Sequence, residues 1–422
     1  MYLTAQDPSQ IDSWELLLFK AVNRISLTPS QYQLIDDRYS QLQKILNVAD
    51  DEILKDAHIF VQGSIELKTT IKPASRAKDD MATVDADAIV WLPYARNASS
   101  SEILALLEKR FKEGSRVTTP IERLRRGIRI VYADENPGFH IDVTPARCVR
   151  DNYELNGYGC LEVPDRHIGW KCSSPREYSE WLKGVSKKEI KIIKTIEKFA
   201  ANRSIIADSA TQDPMPVYAD YVEHNPLRAT IKLLKRHRDE WAISSRKEDV
   251  RPISAILTTL AAHAYEIVAL ESQSLAVRPI EAMIKIIAYM PQFISRNQEG
   301  YAVLNPKDVG ENFAEKWNRP DGEGQKYVEA FNSWHIHALE SVQIGLNDLG
   351  SQIAFEDAVI ERLGVSRTFI QELVNETPNR KWTLPGRSAN TSLNTLSLSA
   401  LAGIATASST SQAQIEPVGR LG

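Results

Sequence analysis

Cysteine is scarce: Cys148, Cys160 and Cys172 are all that 422 residues contain. A number so small and odd supports no disulfide framework and points to a reducing compartment. Long apolar runs are also missing, and none approaches the roughly 20 residues that a membrane helix needs. The start, "MYLTAQDPSQIDSWELL", lacks the basic residues and apolar stretch of a secretory signal. Nor is there an excess of positive charge. With 51 basic and 55 acidic residues the formal net charge is -4, which argues against a general polyanion-coating protein and confines any nucleotide role to a cleft. The expectation is a cytoplasmic protein without membrane contact.

What is present is ordinary globular composition, 43% hydrophobic and 25% charged. The length exceeds one core, so two domains and a tail are expected. Helical spacing gives two helices before residue 56, the second opened by the Thr-Pro of "TPSQ". "HIFVQ", "TVDADAIVWLP", "RRGIRIVYAD" and "FHIDVTPA" read as strands, and "SSSEILALLEKRFKE" as a Ser-capped helix between them. Residues 150–175 are irregular, and from "SPREYSEWLKGVSKKEIKIIKTIEKFAANR" onward the pattern is helical. Beyond Trp382 the chain turns rich in Ser, Thr, Ala and Gly, with one short helical stretch near "SLSALAGIA". The division is 1–215 for a mixed core with its N-terminal helices, 216–383 for a helical domain and 384–422 for a tail.

The chemistry concentrates in three places. A strand has a side-chain period of two, so Asp85 and Asp87 project from one face about 7 Å apart. An isolated Asp-x-Asp is usually a solvated strand face. Here the strand continues as Ile89, Val90, Trp91 and Leu92, which makes it central, and buried strands seldom end in unpaired acids. A second apolar strand carries Asp142 between Ile141 and Val143. Three acids from two strands suit a divalent, oxygen-preferring ion. Upstream, Gly63-Ser64 ends a strand where a backbone without a side chain, beside a hydroxyl, can approach a phosphate; alone, such a pair is a plain turn.

In that order, Gly-Ser, Asp-x-Asp and a distant Asp, the sequence resembles the DNA polymerase β-like nucleotidyltransferases. More narrowly, "FVQGSIELKTTIKP", "VDADAIVWLP", "FHIDVTPA", "LRATIKLLKRHRDEW", "RPISAILTTLAA" and "NPKDVGENFAEKW" look like the bacterial CD-NTases, relatives of cyclic GMP-AMP synthase that make cyclic oligonucleotides in anti-phage signalling. The resemblance spans about residues 10 to 340. It implies an α+β fold, a mixed sheet with helices plus a C-terminal helical domain. It further implies two Mg²⁺ ions on Asp85, Asp87 and Asp142, and donor-nucleotide contacts from Gln62, Gly63, Ser64, Lys235 and Ser254. The substrate is expected to be ATP, with or without GTP or another nucleotide, and the product a cyclic di- or trinucleotide acting on a separate effector. An activating partner protein, and a ubiquitin-like conjugation enzyme acting on the terminal Gly422, belong to the same expectation. The alternative acceptor is an RNA end, a protein or a small molecule. A third, non-enzymatic reading, a degenerate nucleotide-binding or scaffold module, is disfavoured by the intact triad.

Other signals carry bland readings beside sharp ones. Lys68 stands where many relatives have glycine in the turn after Gly-Ser. Asp79 and Asp80, in the insertion "PASRAKDDMAT", are a reserve acid pair or solvated loop acids. Cys148, Cys160, His167 and Cys172 lack a Cys-x-x-Cys core, so ordinary thiols are favoured over zinc. His140 shares the face of Asp142 and either packs or orients a carboxylate. Lys187, Lys188, Lys191, Lys194 and Lys198 are expected on one basic, solvated helix.

Overall fold

The computed structural model describes residues 8–376, apart from 49, 115–119, 133–134, 136–137, 149–156, 160, 194–224 and 348. Helices α1 (Pro8–Ile25) and α2 (Pro29–Asn47) lead into strand β1 (His58–Gln62), the single-turn helix α3 (Gly63–Glu66), β2 (Val84–Leu92) and α4 (Ser100–Gly114). Next come β3 (Ile121–Arg123), β4 (Ile128–Tyr132), β5 (Phe139–Cys148), β6 (Leu161–Asp165), β7 (Gly169–Ser173) and α5 (Pro175–Ser186). The remainder is α6 (Pro226–Ser245), α7 (Ser254–Ser272), α8 (Pro279–Tyr289), α9 (Glu323–Ser341), α10 (Gln352–Leu363) and α11 (Arg367–Glu376), with two small hairpins between α8 and α9. The fold is α+β, a mixed sheet with helices followed by a helical region. No described helix is long and apolar enough to cross a membrane.

The sheet runs β1-β2-β5-β4-β3, with β6 pairing the end of β5 and β7 pairing β6. Only β2 and β5 are parallel, and their register sets Asp85 opposite His140 and Asp87 opposite Asp142. On the antiparallel sides, Gln62 pairs with Asp87 and Arg129 with Asp142. The alternation of β2 explains its sidedness. Val84, Ala86, Ala88 and Val90 face a core filled by Tyr32, Ile35, Tyr39 and Leu42 of α2 and by Leu107 and Phe111 of α4. Asp85 and Asp87 therefore face away from it, while farther along Ile89 and Trp91 are covered by Phe60, Ala146, Leu161 and Val163.

Local chemistry accounts for the helix ends. Thr28 caps α2 by accepting from the Gln31 amide at 3.3 Å, the Gln31 side chain accepts from the Thr28 amide at 2.9 Å, and Pro29 opens the helix. Asn225 caps α6, accepting from the Arg228 amide at 3.1 Å ahead of Pro226.

Packing divides the chain differently from the sequence reading at its start. Helix α1 buries Trp14, Leu17, Ala21 and Val22 in the helical core with α6 and α7, and the Trp14 indole donates to the Val342 carbonyl at 2.9 Å; of the first two helices, α2 is the one that packs on the sheet. The expected basic helix after α5 is also corrected. Residues Lys187 and Lys188 follow the end of α5 at Ser186, and Lys191 precedes a short bridge between Ile192 and Val277. Tyr265 and Ser272 of α7 hold this extended run, through the Lys188 carbonyl at 2.6 Å and the Lys191 amide at 3.0 Å. Lys194 and Lys198 lie outside the described residues, as do Cys160, Gly422 and the tail stretch "SLSALAGIA".

Candidate active site

Helix α6 is the central helix of the second half, buried nearly all round, so its cations must find partners. Three of them, Lys232, Lys235 and Arg236, find theirs in the first part of the chain. Lys232 donates to the Ser26 hydroxyl at 3.1 Å, and Arg236 donates to the carbonyls of Lys72 and Pro73 at 2.8 and 3.2 Å. Lys235, only 5% exposed, donates to the Ser64 hydroxyl at 2.7 Å and the Thr69 carbonyl at 3.1 Å. A solvated surface lysine is thereby excluded. Burial, then the charge of Arg238, pulls the Lys235 ammonium down to about 8, against the opposing pull of Asp85, Asp239 and Asp87.

These contacts floor a cleft of about 150 Å³ lined by side chains from both halves, among them Ser64, Asp85, Arg129, His140, Lys235 and Ser254. Ser254 is the first residue of α7, and its hydroxyl accepts from Arg238 at 3.0 Å. Arg238 in turn pairs with Asp239 at 2.7 Å. Gln62 ends β1 immediately before α3, half-buried opposite Asp87. Asp79 is exposed in a turn at Asp79–Ala82, and Asp80 belongs to the same turn, outside the strand pair that carries the other acids.

Each of the three strand carboxylates is held in a different way. Asp142 accepts both arms of a bidentate bond from Arg129, at 2.7 and 3.0 Å. Asp85, with a side chain 61% exposed, accepts from the His140 ring at 3.1 Å. Asp87 lies against Gly63, where an added Cβ would stand 2.0 Å from its Oδ2. The Asp87 main-chain carbonyl accepts from the Tyr39 hydroxyl at 2.7 Å. Gly63 also has φ +62, so two separate demands, conformation and space, select glycine.

The charges leave a clear signature. Burial, reinforced by Asp85 and Asp142, pushes the Asp87 carboxyl well above the usual carboxylate range. At Asp85 partial desolvation by the surrounding protein works upward, but the hydrogen bond and charge of His140, with Lys235 and Arg129, hold it below that range. The Tyr39 hydroxyl is driven far up by burial and then by the same three acids. Carboxylates crowded until one resists ionisation are a site short of positive charge. One ligand atom from each of Asp85, His140 and Asp142 lies within 4.8 Å of the others, a spacing at which the two carboxylates, as oxygen donors, fit a divalent cation. Asp87 stands beside this set rather than in it.

Several of these residues escaped the sequence reading. Arg129 had a usable signal, a charged residue inside an apolar strand. Arg238 and Asp239 had none that pattern alone could separate from a helix surface. Zinc gains no support: Cys148 is a buried free thiol, Cys172 a half-buried one, and His167 sits in the exposed turn between β6 and β7.

Comparison with known proteins bears on the family and the fold. Residues 18–185 match the family described as the Second Messenger Oligonucleotide or Dinucleotide Synthetase domain. A c-di-GMP synthase of Roseivirga ehrenbergii is 23% identical over 340 residues, 79% of this chain and 80% of that protein. Among solved structures, the CD-NTase CdnG of Bradyrhizobium diazoefficiens, in complex with GTP, superposes with a TM-score of 0.61 at 17% identity, covering 88% of this chain and all of that one. The cyclic AMP-GMP synthase DncV of Vibrio cholerae gives a TM-score of 0.49 at 17% identity, over 86% of this chain and 88% of its own.

Proposed function

We propose a specific reaction for this chain, which is a nucleotidyltransferase of the bacterial cGAS/DncV-like CD-NTase family: it joins two or three nucleoside triphosphates, ATP with or without GTP, into a cyclic second messenger for anti-phage defence. In each step the 3′-oxygen of one nucleotide attacks the α-phosphorus of the next. A P–O bond forms, the α–β phosphoanhydride breaks, pyrophosphate leaves and the 3′-hydroxyl proton passes to solvent. The last such step closes the ring.

The observation that carries this reading is the meeting, in one cleft, of Asp85 of β2 and His140 of β5 with the Lys235–Ser64 contact that joins the two halves, Asp142 lying close beside the first two. In this role Asp85 and Asp142, with Asp87 beside them, would hold Mg²⁺, two ions in this reading, whose charge lowers the hydroxyl's pKa and neutralises the leaving pyrophosphate. Gly63 keeps the backbone low under the donor phosphates, Gln62 and Ser64 flank it, and Lys235 and Ser254 meet the triphosphate from the helical side. GTP is supported as one substrate by the name of the Roseivirga relative and by the nucleotide in the Bradyrhizobium structure.

The test is to incubate the protein with each labelled triphosphate and Mg²⁺, treat with phosphatase, and separate what survives. A phosphatase-resistant cyclic product that the Asp85→Ala/Asp87→Ala double variant does not form is the expected result. Label transferred to RNA or protein instead would replace the cyclising reaction with a tailing or modifying one.

A further inference from the structure

The best-defined contact in the cleft belongs to a residue outside the expected triad. His140 lies on β5 directly across the parallel register from Asp85 and two residues before Asp142. Its ring is 3% exposed, yet both nitrogens are engaged. Nε2 is 3.1 Å from Asp85 Oδ1 and 3.9 Å from Asp142 Oδ1, while Nδ1 is 2.7 Å from the Thr83 hydroxyl. A carboxylate can only accept, so Nε2 carries the ring proton and Thr83 serves Nδ1. Thr83, the residue just before β2, and Asp85, the second residue in it, thus grip the same imidazole from one strand while His140 is anchored in the next. Arg129, half-buried, does for Asp142 what this buried imidazole does for Asp85, since each donor fixes one acid.

We infer that His140, backed by Thr83, is a positioning residue that holds Asp85 in the rotamer required for divalent-cation binding. An aspartate with a side chain 61% exposed would otherwise divide its time among staggered rotamers. Fixing one oxygen leaves the other free and aimed. Outer-shell partners of this kind are typically worth on the order of 10- to 100-fold in metal affinity. The inference rests on the reading of the acids as a cation site, and the experiment separates the two.

Mn²⁺ binding to the full chain, followed by the loss of its free-ion electron paramagnetic resonance signal, reads the site without turnover. Asp85→Asn should weaken Mn²⁺ strongly; unchanged affinity there would sink the cation-site reading itself. His140→Ala should weaken it roughly 10- to 100-fold, and His140→Gln, which restores an N–H at similar reach, should recover part of the loss. Thr83→Val, which keeps ring and core volume in place, should cost less, and nothing further when added to His140→Ala. If His140→Ala unfolds, Thr83→Val and His140→Gln carry the test. Wild-type affinity in the His140 variants, or in Thr83→Val, alongside a weakened Asp85→Asn overturns the positioning role. A nitrogen hyperfine coupling on bound Mn²⁺ that His140→Ala abolishes would also overturn it, by making His140 a ligand instead.

Discussion

The Lys235 ammonium stands 2.7 Å from the Ser64 hydroxyl, so one hydrogen bond ties the helical half to the loop that follows β1. If this lysine is kept for nucleotide, Lys235→Met should lower turnover by about 10- to 100-fold, the worth of one charge-assisted hydrogen bond. Stability should move the other way or not at all. The unfolded lysine keeps its proton up to its ordinary 10.5, the native one only to about 8, so between those values stability rises with pH and at neutral pH the buried charge is a cost. Turnover and thermal unfolding measured side by side decide the matter. A collapse of the unfolding temperature would make Lys235 a strut.

Gly63 and Asp87 should be energetically coupled. A Cβ at Gly63 would meet Asp87 Oδ2 at 2.0 Å, and a left-handed backbone adds roughly 1–2 kcal/mol for any other residue. Gly63→Ala is expected to lose activity and at least that much stability. Asp87→Ala should cost less in the Gly63→Ala background than alone, because the two closest contacts, with Oδ2 and Cγ, are then removed, and a double-mutant cycle by urea denaturation measures this directly. Strict additivity would show that the glycine serves conformation alone.

How much of this site the sequence reveals depends on the distance over which its parts interact. Asp85, Asp87 and Asp142 are legible because a strand's alternation and its apolar neighbours are local facts, and the architecture follows from the order of strands and helices. The partners are not legible. Arg129 reaches Asp142, and His140 reaches Asp85, only through a register in which β2 runs parallel to β5 and antiparallel pairing adds β4. Helix α1 shows the same limit. Its apolar stripe predicts a helix, but nothing local says that Trp14 packs in the helical core rather than on the sheet. The hairpin of β6 and β7 looks irregular in the sequence because Gly, Pro and aromatic residues mask its alternation.

Lys68 gives a third prediction. Its φ of +58 is a glycine's conformation, and its amide donates to the Ile65 carbonyl at 3.1 Å to close the turn. Lys68→Gly relieves about 1 kcal/mol of strain and loses a similar amount through the freer unfolded chain, so stability should stay within about 0.5 kcal/mol. Lys68→Val adds a branched carbon to a left-handed residue and should cost more than about 1 kcal/mol. Urea midpoints at one pH check both, and a stabilised Val variant would refute the account.

The helical half should carry its own pH dependence, far from the carboxylates. His237 is buried with Nε2 at 2.8 Å from His337 Nδ1 and 3.0 Å from the Ser341 hydroxyl, and Arg362 bonds the other side of His337. Burial first, then the Arg362 charge, brings His337 down to about 4; burial, His337 and Arg362 push His237 well below its ordinary 6.5. Both rings therefore stay neutral in the native state while the unfolded chain takes up protons from 6.5 downward. Stability is full above that value and falls as pH drops toward 4. For half-buried His337, solvent screening leaves about 1 kcal/mol of that loss between pH 6.5 and 5. His337→Gln should flatten the profile in this window, and unfolding free energies at pH 7, 6 and 5 for both proteins measure it; an equally steep variant would show that the pair does not govern it.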